Sequence, residues 1–493
     1  MKGLKKLVYL DIGLCLIAIV AFVYSSNRPK QDLKIAETEI QKELIEPSPI
    51  PLSEPKQKEI EVAAITDANP HTQNLLAQYE KFIEKAMRSG QTPGAAIAII
   101  KDSSIIFLKG FGLKQIGKPD SININTVFRL GSVSKCFASV LAGTLVSDSV
   151  IGWDDPVIKY LKTFELKSVE STQKLTLRHV LSHTMGLPYH AYTDMIEERT
   201  PLDTLLKALK NVNLIGEPGK IYSYQNVGYS VIGKVIEEAT HLSFEQALTE
   251  KVFLPLRMKN SSASYLAMVS NPNIARPHLI SRKRWKSVPV SDTYYDYAPA
   301  GGVNASVADM ALWLKALLGN HQDVIAGSAL NEIFKPQVKA VAKNRNFRRW
   351  KKPTASYYAL GWRVLTFKND TIQYHGGYVN GYRSDVALDR KNKIAICVLT
   401  NSAGNLADRS IPEFFAQYNQ HKFLLMPGKT GRRICSWPIA KKNYNLLSID
   451  ETRKFAYRNR VDCRSCRDNL FHARRKIGCG VSGIYCQQTK RKR

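Results

Sequence analysis

The stretch "FRLGSVSKCFASVLAGTLV", Phe128 to Val146, joins two reactive side chains to a strongly apolar run of helical length. Ser132 follows a glycine at the predicted helix start, and Lys135 lies three residues later, so one helical turn places both on the same face. A helix N-terminus adds free N–H groups and a positive field, which favour an oxyanion and a deprotonated serine. The stretch therefore predicts a nucleophilic serine whose proton passes to a neighbouring amine, provided that the amine has a lowered pKa.

Ser-x-x-Lys by itself is a weak pattern, because this chain contains it more than once. It recurs at Ser53/Lys56 and at Ser171/Lys174. The alternative at each copy is a helix N-cap with a solvated lysine. Only the copy at Ser132 follows a glycine and opens a strongly apolar helix, and this context favours it as the functional one.

A second candidate is Tyr224-Gln225-Asn226, which precedes a helical pattern in "GKIYSYQNVGYSVIGKVIEEA". In an extended segment the side chains of residues i and i+2 point to the same side, so the phenol and the amide lie on one side of the chain. The phenol can relay protons if cations lower its pKa, and the amide can hold a substrate carbonyl. Tyr-x-Asn is also common, and the alternative is an aromatic side chain packed at a domain seam.

A third candidate is His375-Gly376-Gly377, which ends a strand pattern in "YHGGYVNGYRS". Paired glycines let a substrate backbone approach the edge of a strand. Histidine can donate a hydrogen bond or titrate near neutral pH. The alternative at this position is a β-bulge that carries a surface histidine.

The elements predicted around these candidates alternate along the chain in an informative order. A helix is predicted over 72–88, and two strand patterns follow over 95–100 and 104–112. Helical patterns dominate the middle, and strand patterns return over 372–377, 382–390 and 393–401 before a closing helix over 409–425. The order predicts an α+β fold. Its antiparallel sheet is built from both ends of the body and flanked by helices, with a mostly helical region inserted.

Taken in this order, the three motifs resemble those of the serine β-lactamase and penicillin-binding-protein superfamily, nearest the class C β-lactamases and related D,D-peptidases and esterases. The steps are 92 residues from Ser132 to Tyr224 and 151 from Tyr224 to His375. The resemblance covers residues 71–425 and implies a β-lactamase/transpeptidase-like fold. Three further phrases agree with the same group: "WDDPVIKYL" (153–161), "VLSHTMGLP" (180–188) and "PAGGVNASVADMALWL" (299–314).

The resemblance implies a role for each matching residue. Ser132 would accept the acyl group and Lys135 would help to activate it. Tyr224 would protonate the leaving group and assist the deacylating water, and Asn226 would contact the substrate amide. The backbone N–H groups of Ser132 and Tyr378 would form the oxyanion hole. The resemblance implies no metal and no cofactor.

The sequence departs from the family pattern at one substrate-binding motif, where His375-Gly376-Gly377 replaces Lys-Thr-Gly. A β-lactam or a D-Ala-D-Ala terminus carries a carboxylate, which a lysine and a threonine hydroxyl suit better than a mostly neutral histidine and a glycine do. The expected substrates are a β-lactam, a peptidoglycan peptide or an ester. Class C-like β-lactamase activity is the first expectation. The alternatives are a D,D-carboxypeptidase or endopeptidase, an esterase, and a penicillin-binding protein with little turnover.

The first 70 residues are typical of a targeting region. Lys2, Lys5 and Lys6 precede an apolar stretch over 7–24, so residues 1–25 are predicted to be a signal peptide or a membrane anchor. Residues 26–70 are polar and proline-rich, which favours an extended tether. The lysines should stay cytoplasmic, and the body should be exported to the periplasm or cell envelope. An uncleaved segment would make the membrane a partner.

The last 68 residues, 426–493, differ from the body in charge and cysteine content. The chain has a formal charge of +29, and from Pro427 onward 18 Lys and Arg stand against 4 Asp and Glu, a net of +14. Five of the eight cysteines lie here, so the body, with Cys136 and Cys397, is not a disulfide scaffold. The favoured interpretation is a disordered or frameshifted terminus.

Two other interpretations of the tail remain open, an extension that binds nucleic acid or the envelope and a zinc site. The zinc ligands would be Cys463, Cys466, Cys479 and Cys486. An exported body argues against a nucleic-acid partner. Lys429-Thr430-Gly431 has the composition of the family motif, but it follows the closing helix, whereas a strand with that motif should precede two more strands.

Overall fold

The structure is a computed structural model. It describes residues 69–421, apart from 91, 283, 341–349 and 351–352. The predicted signal or anchor, the basic tail and its possible zinc site lie outside these residues. So does the predicted tether over 26–70 except for its last two residues, of which Pro70 begins a helix. Within the part that is described, no helix combines the length and the apolar character that crossing a membrane requires.

Twelve strands occur in the described ranges. They are β1 (Gly94–Lys101), β2 (Ser104–Gly112), β3 (Val127–Arg129), β4 (His278–Ser281), β5 (Arg284–Ser287), β6 (Asn304–Ser306), β7 (Val338–Lys339), β8 (Ala355–Tyr358), β9 (Arg363–Thr366), β10 (Thr371–Val379), β11 (Tyr382–Asp389) and β12 (Ile394–Thr400).

The α-helices follow the chain in the same way. They are α1 (Pro70–Gly90), α2 (Ser134–Ser147), α3 (Val157–Tyr160), α4 (Val169–Lys174), α5 (Leu177–Leu181), α6 (Thr193–Glu197), α7 (Leu202–Ala208), α8 (Val227–Thr240), α9 (Phe244–Leu248), α10 (Tyr265–Ser270), α11 (Ala298–Gly301), α12 (Val307–Lys315), α13 (Gly327–Ile333) and α14 (Asn405–His421).

The main sheet joins the two ends of the body, as the sequence predicts. Its eight strands run in the order β2-β1-β12-β11-β10-β9-β8-β7. Neighbouring strands are antiparallel, and β12 lies between β1 and β11, with Ala95 opposite Thr400 and Arg383 also opposite Thr400. The central strands are apolar almost throughout because both faces of the sheet are covered. The α+β architecture is confirmed.

Helices α1 and α14 cover one face of the sheet. The apolar side of α1 buries Leu75, Tyr79 and Ile83 against a cluster that includes Phe414, and the Tyr79 hydroxyl donates to the Ser410 carbonyl at 3.1 Å. The predicted helix over 72–88 is therefore confirmed. Helix α14 begins at Asn405, four residues before the predicted start.

The inserted helical region covers the other face and surrounds α2. Every residue of α2 from Ser134 to Leu145 is buried. Phe137 stacks on Trp313 of α12 with ring centroids 4.1 Å apart. Because packing fixes α2 on all sides, the turn that leads into its N-terminus is held rigidly beside the sheet. This turn contains Ser132.

Candidate active site

Ser132 lies in a single turn of 3₁₀-helix, Gly131–Val133, that leads directly into α2. The sequence places it at the helix start, and the structure sets it in this turn, two residues before the first residue of α2. Gly131 has a φ of +50°, a backbone conformation that residues with a Cβ atom seldom adopt. Ser132 is half-buried and Lys135 is fully buried.

Lys135 is held by two neutral acceptors. Its Nζ donates to Asn226 Oδ1 at 2.7 Å and to the Ala300 carbonyl at 2.9 Å. Burial lowers the pKa of Lys135 well below its usual value, and the nearby Arg363 charge lowers it further. A lysine in this state favours the neutral amine, which can accept a proton.

Tyr224 joins the serine to this cationic region. The Ser132 side chain lies near enough to act on the pKa of the phenol, and the Lys135 Nζ lies 4.7 Å from the centroid of the Tyr224 ring. Burial raises the pKa of Tyr224, and the Arg363 charge and the Ser132 side chain oppose this effect only in part. Burial thus outweighs the lowering by cations that the sequence analysis considered, so the phenol is protonated near neutral pH and can relay a proton only by donating its own while it accepts another. The structure brings Ser132, Lys135, Tyr224 and Asn226 together.

Two glycines let β10 lie directly against the turn that carries Ser132. A Cβ on Gly377 would lie 2.1 Å from the Leu130 carbonyl oxygen and 3.0 Å from the Ser132 nitrogen. A Cβ on Gly131 would lie 2.9 Å from the Tyr378 nitrogen. The backbone N–H groups of Ser132 and Tyr378 thus occupy one small region, the arrangement that an oxyanion hole needs.

His375 lies beneath the site rather than on its surface. Its ring is fully buried, with Nδ1 3.0 Å from the Gly376 carbonyl and Nε2 3.1 Å from the Tyr358 hydroxyl. The alternative of a surface histidine is wrong. Of the two capacities considered for this histidine, titration near neutral pH is disfavoured, because burial and the Arg363 charge hold the pKa of His375 well below its usual value. A neutral ring with the proton on Nδ1 accounts for these contacts.

Gly376 contributes backbone only. A Cβ placed on it would lie 2.6 Å from Asp385 Oδ1, on the opposite face of β10 from the site. A threonine hydroxyl at this position, as in Lys-Thr-Gly, would therefore meet a buried carboxylate. Burial raises the pKa of that carboxyl group to about 6.

Arg363 is a site residue that the sequence analysis missed. It stands on β9, its Nη1 lies 3.3 Å from His375 Nε2, and its guanidinium carbon lies 5.5 Å from the Tyr224 ring centroid. Its side chain is almost entirely buried, and the described part of the chain pairs it with no carboxylate. One signal could have found it: a lone charge between Trp362 and Val364, within an apolar segment.

The buried guanidinium of Arg363 therefore lies beside Tyr224 and near the amine of Lys135, without an acidic partner in the described ranges. Burying a charge without a counter-ion is costly, so such sites favour an anion. An oxyanion, a phenolate or a substrate carboxylate would each lower that cost. The arrangement suits a reaction in which negative charge develops at the serine.

The comparison with known families agrees with this geometry. A family model described as Beta-lactamase matches residues 79–417. The chain belongs to the Beta-lactamase family. The match includes every strand of the main sheet and every residue of the site described above, so the family's fold and its three motifs fall within it.

Curated members that resemble the chain are distant. Protein flp of Staphylococcus aureus (strain N315) is 23% identical over 365 residues, 71% of this chain and 68% of the relative. Unguisins hydrolase ungD' of Aspergillus campestris (strain IBT 28561) is 24% identical over 335 residues, 66% of this chain and 61% of the relative. Such members support a hydrolase of this superfamily without specifying its substrate.

A solved structure shows the same fold. The octameric penicillin-binding protein homologue from Pyrococcus abyssi superposes with a TM-score of 0.61 at 24% identity, over 71% of this chain and 77% of that chain. Among the residues that our structure describes, no group of three or more His, Cys, Asp or Glu is placed to hold a metal. Cys136 and Cys397 are both buried as free thiols.

Proposed function

We propose that the chain is a serine hydrolase of the cell envelope that forms an acyl-enzyme on Ser132, with β-lactam hydrolysis as its first expected activity. The observation that carries the proposal is that the buried amine of Lys135 lies 4.7 Å from the centroid of the Tyr224 ring, beside the turn that contains Ser132. These groups supply a nucleophile, a proton relay and a base in one place.

Acylation begins with attack of the Ser132 oxygen on the substrate carbonyl carbon. The serine proton passes to the base formed by Tyr224 and Lys135, and the carbonyl oxygen becomes an oxyanion that the Ser132 and Tyr378 N–H groups stabilise. Collapse of the tetrahedral intermediate breaks the bond to the leaving group. The same proton then passes from Tyr224 to the departing nitrogen or oxygen.

Deacylation repeats these steps with water. Tyr224 and Lys135 take a proton from a water molecule, which attacks the ester carbon of the acyl-enzyme. The bond to the Ser132 oxygen then breaks, and the oxygen recovers its proton. Asn226 directs its Oδ1 to Lys135, so its amide N–H₂ group remains to hold the substrate amide.

Arg363 supports a substrate that carries a carboxylate near the bond that breaks. The substitution of histidine for the motif lysine removes one cation, and the neutral His375 does not replace it. The Arg363 guanidinium lies beside that histidine and beside Tyr224, where it can pair with an anion. We therefore place β-lactams and peptides with a free carboxylate ahead of neutral esters.

A neutral ester is the second candidate, and a specific observation favours it. The buried His375 ring, whose pKa is held well below its usual value, stands where the family motif has a charged lysine. Part of the carboxylate recognition that Lys-Thr-Gly provides is thus absent. An esterase would form the same acyl-enzyme, so the two candidates differ in substrate and not in mechanism.

The test is to follow hydrolysis of nitrocefin and of 4-nitrophenyl butyrate, resolving the burst from the steady state. We expect a burst of one equivalent with at least one substrate, and intact-mass spectrometry should show the added acyl mass. The Ser132→Ala variant should lose both. A folded wild-type protein that shows no burst and no added mass with either substrate would contradict the proposal.

Location is a further part of the proposal. The apolar segment over 7–24 supports export to the periplasm or envelope. Fractionation of expressing cells should place the full chain outside the cytoplasm, and removal of residues 1–25 should retain it inside.

A further inference from the structure

One histidine, His183, anchors the main chain on both sides of Tyr224. Its carbonyl oxygen accepts a hydrogen bond from the Ser223 N–H at 2.9 Å. Its ring nitrogen Nδ1 accepts another from the Gln225 N–H at 3.1 Å. The residue before Tyr224 and the residue after it are therefore both bonded to His183.

The backbone of His183 makes this double contact possible. Its φ is +57°, in the left-handed region, where a residue with a side chain is uncommon. The residue follows the end of α5, where its left-handed backbone changes the direction of the chain. This change turns both the carbonyl group and the ring of His183 toward the Tyr224 segment. Residues held in this region cluster at functional sites, because the surrounding structure must impose the conformation.

Packing holds the imidazole in place. The ring is fully buried, and its centroid lies 4.3 Å from that of Tyr224, 5.0 Å from Tyr229 and 4.8 Å from Tyr358. An imidazole locked between three aromatic rings has little freedom to move. Its position therefore fixes the Gln225 N–H group, which donates a hydrogen bond to Nδ1 of the ring.

The protonation state is consistent with this contact. Because Nδ1 accepts a hydrogen bond, the proton of the neutral ring is on Nε2, which has no hydrogen-bond partner in the part of the chain described. Burial lowers the pKa of His183 well below its usual value, with smaller effects from Lys135, His375 and Arg363. Nδ1 therefore remains an acceptor near neutral pH.

Tyr224 has one further main-chain anchor. The His190 N–H donates to the Tyr224 carbonyl at 2.9 Å. Loss of the His183 ring contact should thus displace the phenol without releasing the whole segment. This predicts a partial and selective defect in place of complete inactivation.

We propose that His183 is a positioning residue for Tyr224, which fixes the main chain around it so that the phenol reaches Ser132. The inference rests on the proposed function, because it gives the phenol the task of moving a proton between Ser132 and the leaving group. His183 itself touches neither the substrate nor the reacting atoms.

The leaving group provides a readout that a general loss of stability would not move. A nitrophenolate departs as an anion, whereas an alkoxide must receive a proton as its bond breaks. 4-Nitrophenyl acetate and benzyl acetate form the same acetyl-enzyme, and their leaving groups differ strongly in this need for a proton. Displacement of Tyr224 should therefore slow benzyl acetate more than 4-nitrophenyl acetate.

His183→Asn and His183→Leu form a matched pair. Asparagine places Oδ1 where histidine has Nδ1, and it tolerates a positive φ. Leucine has a similar branching but no acceptor. We expect His183→Leu to lower the ratio of kcat/KM for benzyl acetate to that for 4-nitrophenyl acetate at least tenfold, and His183→Asn to stay within about threefold of the wild type.

A second variant and a control guard against a folding defect. If His183→Leu does not fold, His183→Gln replaces it and should lower the ratio in the same way. The glutamine amide lies one methylene further from the backbone and places no acceptor where histidine has Nδ1. His278, also fully buried, accepts a hydrogen bond from the Ile116 N–H at 3.1 Å away from the site. His278→Leu should lower Tm and leave the ratio unchanged.

The outcomes separate this inference from the proposed function. A wild type that hydrolyses neither ester overturns this inference, and it overturns the proposed function as well only if nitrocefin also gives no acyl-enzyme. A wild type that hydrolyses both, with an unchanged ratio in the folded His183 variants, overturns the inference alone. Equal losses in His183→Asn and His183→Leu also overturn it, since the acceptor atom would then not matter.

Discussion

At the scale of single residues, burial decides the protonation of the site. Lys135 and Arg363 are both buried near Tyr224, yet burial has different consequences for them. Burial lowers the pKa of the lysine and so shifts it toward the neutral amine. The guanidinium of the arginine stays charged. One residue therefore supplies a base and the other a permanent cation.

The first prediction concerns the pH dependence of acylation. Acylation requires the neutral form of Lys135, so its rate falls when pH falls through the pKa of that residue. Because this pKa lies well below the usual lysine value, we expect kcat/KM for 4-nitrophenyl acetate to hold its plateau far below pH 10.5. Arg363→Gln removes a neighbouring charge that lowers the pKa, and it should move the acid limb to higher pH.

A limb that does not move in folded Arg363→Gln would contradict this account. Arg390→Gln provides the control, because Arg390 lies over the Phe334 ring outside the site. Its pH profile should match that of the wild type.

The second prediction concerns substrate charge. If Arg363 pairs with a substrate carboxylate, Arg363→Gln should raise KM for a carboxylate-bearing β-lactam about 10- to 100-fold, the size of one lost hydrogen bond to a charged group. KM for the neutral nitrophenyl ester should change little. Steady-state kinetics with both substrates decide the point, and an equal change in both KM values would count against the pairing.

At the scale of elements, the site forms where β10 meets the turn before α2. The structure confirms the predicted strands β1, β2, β10, β11 and β12. They could be predicted because each carries a sustained apolar pattern. The short strands β8 and β9, of four residues each, were not predicted. Four residues are too few for a period of two to stand out from a loop.

The third prediction tests the close approach at Gly377. Gly377→Ala would place a Cβ 2.1 Å from the Leu130 carbonyl oxygen, so β10 must move away from Ser132 and open the oxyanion hole. We expect a loss of kcat/KM of about 100-fold or more with a far-ultraviolet circular dichroism spectrum like that of the wild type. Activity within tenfold of the wild type would refute the role given to this contact.

Gly327→Ala is the matched control. Its added Cβ would lie 3.7 Å from Gln322 Oε1, an ordinary contact, at the start of α13. Since alanine favours a helix over glycine, this variant should keep full activity and equal or higher stability.

At the scale of the whole molecule, the two ends of the body depend on one another. Strand β12 pairs with β1 on one side and β11 on the other, and α14 packs beside α1 on the outer face. The sheet that supports Ser132 and β10 is therefore complete only after the last strand has been made.

The fourth prediction uses two truncations. A chain that stops after residue 425 keeps every described element and should retain wild-type hydrolysis and Tm. A chain that stops after residue 393 loses β12 and α14, exposes the centre of the sheet and should not unfold cooperatively. Differential scanning calorimetry distinguishes the two, and loss of activity in the longer chain would give residues 426–493 a role in the site.

The sequence by itself determined the three motifs, the sheet built from both ends and the fold class, because each is written as local pattern or as order along the chain. It placed Ser132, Lys135, Tyr224 and Asn226 in one site through the resemblance to the family. Only the tertiary structure decided that His375 is buried and neutral, and that Arg363 lies beside it. Both depend on which strands become neighbours, and burial and charge contacts between distant segments leave no periodic trace in the sequence.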